Sequence, residues 1–488
     1  MSKTTALVKN TIIIALGKIS TQFLNFLLLP LYTAYLAAAE FGVVDLVTVV
    51  VSLVAPVVML SLEMAVFRFL IDGRGHHTQQ ARVITNVLQL MGSSMLLAGV
   101  LFALVMQWVA VPYGWLALGA VVAAVASNFC LQVARGFGNN TQYAIGSMVA
   151  GATIVVLNIV FIAVLKMGAT GMLLATVIGN GVSALYLITT LKIPQYIDLS
   201  LCDGDTRKEL LHYALPLIPN NISWWVVNAA DRMIIAALLG VTANGIYAVA
   251  YKFPQVFTAV YNFFGLSWAE SASIHIRSKD RDAFFSKVAN MSVRVFGSFG
   301  VVLIVGVSVF FNILIGMRYS EARLYIPLLL IGSFFSAIVG VYSAIYIAKK
   351  RTKQVLYTSL VAAGISIGLS VVLIPIIGLY GPAVAMIAAY LGMAIFRHLD
   401  IKKSINITYD RMAVGSVALL YALAIGLYYI NSPYATIANV VISGAGVIAI
   451  NRHTLRALQQ TLFRKMKGLK QKQADKLAQA WEVDRGAE

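Results

Sequence analysis

Charge is scarce in this chain. Only 11% of its 488 residues are Asp, Glu, Lys or Arg, while 60% are hydrophobic. Soluble domains carry about 25% charged residues. A soluble fold of this composition would need an abnormally dry surface. An integral membrane protein, whose apolar stretches face lipid, is the reading that remains. Acids are rarer than bases, 19 against 37, for a net charge of +18. Aromatics do not interleave with basic groups in any compact segment, so nucleic acid is excluded as a partner. The two cysteines, Cys130 and Cys202, and the six histidines form no CxxC, CxxH or ligand cluster. Neither a disulfide nor a metal centre is expected. Nucleotide fingerprints, phosphate loops and clustered carboxylates are missing too, which argues against an enzyme, a cofactor or direct ATP drive. The alternating ten-residue segments of a membrane β-barrel are also absent.

What is present is apolar length. About fourteen segments stand out, at 11–36, 43–67, 83–107, 113–134, 143–165, 170–190, 212–240, 246–271, 287–315, 325–347, 354–376, 381–399, 412–430 and 434–451. Each is near the roughly twenty residues with which a helix crosses hydrocarbon. Helices are required because open strand edges would leave backbone groups unpaired in lipid. The expected fold class is an all-α polytopic membrane protein. The first apolar run follows Lys3 and Lys9 and continues to about Leu36 without a cleavage site, so it reads as a retained span. With alternating loops, thirty of the 37 basic residues fall on one side and only Lys166, Arg318 and Arg323 on the other. This asymmetry puts both termini in the cytoplasm. It also checks the parity of the span count, because one missed span would move every later loop across. The basic tail, 452–488, reads as either an interfacial amphipathic helix or a solvated extension.

The chain repeats itself. AYLAAAEFGVVDLVT at 34–48 compares with ALLGVTANGIYAVAY at 237–251, and TGMLLATVIG at 170–179 compares with YGPAVAMIAA at 380–389. The similar offsets divide the chain into a six-helix lobe (1–190), a polar link (191–211), a second six-helix lobe (212–400), a helix pair (401–451) and the tail. Halves of six spans enter the membrane in the same orientation, and such halves can rock about a central cavity.

Four basic residues fall inside spans: Lys18, Arg232, Lys252 and Arg294. Charge in hydrocarbon is costly unless it is paired or faces water. Arg232 and Lys252 lie on adjacent segments, both near the ends opposite the basic loops. Asp231, Arg232 and Lys252 should therefore share a depth. Consecutive helical residues point about 100° apart, so Asp231 is expected to pair with Lys252, leaving Arg232 to face a cavity. Lys18 and Arg294 stand about two turns into their spans, where they either snorkel to the interface or extend the cationic lining. Glu63, Asp231 and Glu270 are candidates for ion pairing or for coupling to a proton or other ion gradient. Pro216, Pro219 and Pro254 are candidate gating bends, since proline removes a backbone bond. A cationic cavity suits phosphate or pyrophosphate. Apolar gaps between spans would admit a lipid tail while its head group crosses the polar interior.

The segment LLHYALPLIPNNISWWVVNAADRMIIAALLGVTANGIYAVAYKFP, at 210–254, carries Pro216, Pro219, Asn220, Asp231, Arg232, Gly240, Gly245, Ile246 and Tyr247. Together with PLYTAYLAAAEFGVVDL at 30–46, Arg68, Phe69 and GLYGPAVA at 378–385, it resembles the polysaccharide-biosynthesis flippases. These are the bacterial O-antigen and exopolysaccharide-repeat transporters of the multidrug/oligosaccharidyl-lipid/polysaccharide exporter superfamily. The resemblance extends over about residues 5–450. It implies fourteen helices, in two six-helix lobes plus a terminal pair. It also implies transfer of undecaprenyl-pyrophosphate-linked oligosaccharide from the inner to the outer leaflet of the bacterial cytoplasmic membrane. A polysaccharide polymerase and glycosyltransferases are the expected partners, and the chain is expected to act as a monomer. The alternatives are a flippase for a peptidoglycan or teichoic-type lipid-linked precursor, and a MATE-like ion-coupled antiporter.

Overall fold

The computed structural model describes residues 26–109, 112–452 and 456, and all regular structure among them is helical. Lys18, most of the first span and nearly all of the tail lie outside the described residues. The chain runs α1 (Leu29–Tyr35), α2 (Ala38–Val58), α3 (Leu62–Asp72), α4 (His77–Trp108), α5 (Gly114–Gly136) and α6 (Asn140–Asn158, with a wider turn to Val164). It continues with α7 (Gly168–Thr190), α8 (Gly204–Ala214), α9 (Leu217–Leu239), α10 (Val241–His275) and α11 (Arg281–Leu314). The last helices are α12 (Ile326–Ala348), α13 (Thr352–Ile377), α14 (Tyr380–Lys402), α15 (Arg411–Ile430) and α16 (Pro433–Arg452). Among the described residues, eleven helices are long and apolar enough to cross a membrane.

Polar side chains start several of these helices by accepting their free N–H groups. Asn139 takes the N–H of Gln142 before α6, Asp203 takes those of Asp205 and Thr206 before α8, and Asp410 takes those of Met412 and Ala413 before α15. At α2 the acid at the third helical position serves instead: Glu40 accepts the Ala37 N–H at 2.9 Å. A single residue, Gly240, joins α9 to α10 with φ +87. That left-handed conformation suits glycine and would strain a side chain.

The chain divides into two compact units, 1–282 with 309–406, and 283–308 with 407–488. In the first, α5 and α6 pack on α7, α12 packs on α10 and α14, and α9 and α10 both pack on α2. Burial grades this unit. The most apolar stretch of α12 is 61% buried and that of α4 only 11%. Leu96, Leu97, Leu101 and Leu104 of α4 are accordingly exposed. An apolar helix with so little covered has a surface matched to lipid rather than water. In the second unit α15 and α16 pack around the middle of α11. Asn451 donates to Ser298 Oγ at 2.6 Å, Asn439 donates to the Ala424 carbonyl at 2.9 Å, and Val417 fills the space over Gly297. Such side-chain bonds between helices replace the water that hydrocarbon lacks.

Two expected spans are broken. The segment 43–67 is α2 and α3, separated at Leu60 and Ser61, which take φ +54 and φ +52. Pro56 lies just upstream and its carbonyl accepts the Ser61 N–H at 2.8 Å, a wider loop than a helix closes. The segment 212–240 is the end of α8 and the whole of α9, parted at Leu215–Pro216. Pro216 thus sits at a break and Pro219 in the first turn of α9. Pro254, in contrast, lies within an uninterrupted α10.

Candidate substrate and gating site

The two stretches compared at 34–48 and 237–251 meet in space. Gly42 of α2 and Gly245 of α10 are corresponding positions, 203 residues apart. A Cβ added to Gly42 would fall on the Val241 carbonyl oxygen, and one added to Gly245 on the Ala38 carbonyl oxygen. Ala38 and Val241 correspond by the same offset. The crossing is therefore reciprocal: each backbone occupies the space that a side chain on the other would need. Small residues allow this approach without a hydrophobic force between helices.

Charge is arranged around the crossing. Arg232 Nη1 lies 3.4 Å from Asp45 Oδ1, with both side chains about nine-tenths buried. The guanidinium also stands 4.6 Å from the centre of the Tyr251 ring. Asn244, fully buried, donates to the Gly42 carbonyl at 3.0 Å and to Asp45 Oδ2 at 3.3 Å. Asp231 points elsewhere. It accepts the Tyr247 hydroxyl at 2.8 Å. With Tyr251, Ser366, Ser370 and Tyr390 it lines a cavity of about 20 Å³, room for about one water.

Lys252 completes the group. Its Nζ is 6.0 Å from the centre of the Phe41 ring, and no carboxylate among the described residues reaches it within ion-pair distance. This corrects the expected pairing. Arg232 turns to α2 and takes Asp45. Lys252, rather than Arg232, is left without a carboxylate. Depth follows from counting residues, whereas direction depends on the neighbour that each helix face meets.

One stripe of α9 holds α2 and the start of α3. Asn221 donates to Ser61 Oγ at 3.0 Å, Trp225 to the Val49 carbonyl at 2.9 Å, and Arg232 reaches Asp45. Positions 221, 225 and 232 fall within about 40° on a helix. At the same end as the glycine crossing, Thr33 Oγ1 accepts the Gly316 N–H at 3.1 Å and Tyr319 donates to the Leu36 carbonyl at 3.2 Å. Tyr319 also meets Phe41 edge to face at 6.2 Å. The ends opposite the basic loops are closed here by backbone contact, ring contact and an ion pair.

The other expected site residues lie apart. Arg294 belongs to the second unit and pairs with Asp410 at 2.6 Å, on a partly exposed surface. Glu63 stands in the first turn of α3 with Oε2 buried and unpartnered. Glu270 is exposed near the end of α10. Three features escaped the sequence reading. Asp45 carries no local signal of its role, since its partner Arg232 lies 187 residues away. The break at Leu60–Ser61 had Pro56 as its one signal. Arg397, counted among the loop charges, is 0% exposed within α14, because that helix continues past its apolar stretch to Lys402.

The family described as polysaccharide biosynthesis protein matches residues 7–269. Among solved structures, an inward-facing multidrug resistance MATE family transporter of the MOP superfamily aligns with a TM-score of 0.64 at 14% identity, over 80% of this chain and 98% of that one. The lipid II flippase MurJ, in an inward closed conformation, aligns with a TM-score of 0.65 at 14% identity, over 92% and 99%. A Vibrio cholerae MATE transporter, VcmN, aligns with a TM-score of 0.53 at 15% identity, over 83% and 99%. A search of curated proteins found no match. The fold is thus shared with these membrane transporters, and no group of three or more metal-ligating side chains occurs among the described residues.

Proposed function

The chain belongs to the polysaccharide biosynthesis protein family, and on that premise we propose that it flips an undecaprenyl-pyrophosphate-linked oligosaccharide repeat unit. Transfer runs from the inner to the outer leaflet of the bacterial cytoplasmic membrane by alternating access. The basic loops and both termini face the cytoplasm. The observation that carries this reading is the glycine crossing of α2 and α10, flanked by Asp45–Arg232 and by Lys252. It supplies an end that can close and a cation left over beside it.

In this reading the cavity opens to the cytoplasm while the crossing is shut. Lys18 and Lys252 draw the pyrophosphate inward, where low dielectric strengthens charge-assisted bonds. The sugar follows through the polar interior, and the polyprenyl tail stays in hydrocarbon, so neither part crosses the wrong solvent. Parting α2 from α10 then separates Arg232 from Asp45 and opens the outer side. Asp231 and Glu63 are the carboxyls proposed to couple this cycle to a proton or other ion gradient. The bends at Pro216 and Pro219 let α9 follow α2. The protein works as a monomer beside a polymerase and glycosyltransferases.

The test is reconstitution in liposomes with a fluorescent undecaprenyl-pyrophosphate oligosaccharide. Probe accessibility in the receiving leaflet should rise only in protein-containing vesicles. No protein-dependent rise with this carrier or with lipid II would overturn the flippase reading. A rise with lipid II alone would move the substrate to the peptidoglycan precursor.

A further inference from the structure

A second cationic centre lies at the ends of α12 and α14, opposite to the glycine crossing. Two cations from separate segments meet at Ser404, and a third, Arg351, stands near one of them. Arg281 Nη2 donates to the Ser404 carbonyl at 3.1 Å, and Lys349 Nζ bonds Ser404 Oγ. Arg351 and Arg281 both lie near enough to repel Lys349. Lys349 is half-buried; loss of water first, and then these two neighbours, hold its ammonium below the usual lysine range.

Of the nearby acids, Asp282 pairs with Arg281 of the cluster itself, and Asp400 lies near enough to attract Lys349. Asp282 accepts Arg281 Nε at 3.2 Å and the Asn406 N–H at 3.2 Å. Asp400 accepts the Tyr346 hydroxyl at 2.8 Å and lies 3.7 Å from Lys403. Among the described residues neither Lys349 nor Arg351 has a carboxylate at ion-pair distance.

The cluster rests on a rigid base. Arg397 of α14 donates to Thr358 Oγ1 at 2.7 Å and to Ser359 Oγ at 3.2 Å on α13. On α12 it donates to the Val339 carbonyl at 3.2 Å and also to Ser343 Oγ. None of these acceptors is a carboxylate, so Arg397 ties three helices together with its charge uncompensated by these bonds. Near the same ends of these helices, Ile347 of α12, Tyr357 of α13, and Phe396 and Leu399 of α14 are exposed. Cations above an apolar belt are placed where hydrocarbon gives way to lipid head groups.

We propose that Arg281, Lys349 and Arg351 form a head-group site for an anionic phospholipid in the leaflet on the basic-loop side. A phosphodiester offers one negative charge and several acceptor oxygens at the depth where its own acyl chains can cover these exposed apolar side chains. Inorganic phosphate has the charge but nothing to place against them. Basic pockets between transmembrane helices bind lipid head groups in this way. The inference is independent of which sugar the protein carries and of the transport reading.

The experiment compares full-length protein in nanodiscs of phosphatidylcholine alone and of phosphatidylcholine with phosphatidylglycerol. Readouts are thermal unfolding and the lipid retained on gentle extraction. Phosphatidylglycerol should be retained and should raise the unfolding temperature; phosphatidylcholine and added inorganic phosphate should do neither. Replacing Arg281, Lys349 and Arg351 by Gln should weaken retention by about fivefold per charge removed. The charge-keeping pair Arg281→Lys and Lys349→Arg should hold it within about twofold, which separates lost binding from lost folding. A control removing Arg68, Lys192 and Lys208, also on the basic-loop side, should leave retention unchanged. Equal retention of both lipids, or an equal loss in the control, overturns the site.

Discussion

The crossing segments of α2 and α10 share a glycine and a reciprocal backbone fit but little of their charge. AEFGVVDL brings Glu40 and Asp45; ANGIYAVAYK brings Asn244, Tyr247, Tyr251 and Lys252, with Arg232 beside it on α9. A duplicated contact between identical surfaces would set like charges against each other. Acids stand on α2 and cations on α9 and α10, and the ion pair at this end joins α2 to α9. The acids also differ in task. Glu40 caps its own helix, whereas Asp45 faces α9. Backbone symmetry makes the joint possible, and side-chain asymmetry makes it directional.

Enlarging the shared glycine should break the comparison most severely. Gly42→Val places a branched side chain on the Val241 carbonyl, and the expected result is loss of transport with the crossing held apart. Thiol labelling of a cysteine introduced at Val241 would rise if the crossing has opened; unchanged labelling with normal transport would show that the helices never need to meet so closely. Next in size is the ion pair. Asp45→Ala leaves a buried guanidinium uncompensated and should destabilise the protein by about 3–5 kcal/mol. The exchange Asp45→Arg with Arg232→Asp should recover more than half of that in thermal unfolding, provided the pair is the reason for the loss.

Lys252 sharpens the contrast between paired and unpaired cations. Lys252→Gln should cost about tenfold or more in transport, the weight of a charge-assisted hydrogen bond, with stability nearly unchanged. Arg232→Gln should lower stability as well, so unfolding and flipping rates measured together tell a substrate contact from a latch. The smallest effect is expected from Asn244→Ala, about 1–2 kcal/mol through the lost bonds to Asp45 and to the Gly42 carbonyl. An equal loss from Tyr247→Phe would show that the Asp231 side of the cluster matters as much to closure as the Asp45 side.

Much of this was legible in the amino-acid order. At an offset of 203 residues the two compared stretches align Gly42 with Gly245. Residue order put Asp231, Arg232 and Lys252 on adjacent segments. Their partners were not legible, because Asp45 lies 187 residues from Arg232 and nothing local marks it as an acceptor. The break at Leu60–Ser61 was hidden for a different reason. Leu60, Ser61 and their neighbours keep the segment apolar, and hydropathy does not register backbone direction. Arg397 misled because a charge at the edge of an apolar run normally marks a loop; here hydroxyls and carbonyls of α12 and α13 solvate it inside.

By itself the sequence determined that the chain is a helical membrane protein and that its loops segregate by charge. Each of these is a sum along one dimension, so residue order suffices. Tertiary structure alone decided which cation is latched and which is left over, where span 43–67 breaks, and which basic residues gather around Ser404. Those outcomes depend on the face each helix turns to its neighbour, and that rotation is set by packing between segments far apart in the chain.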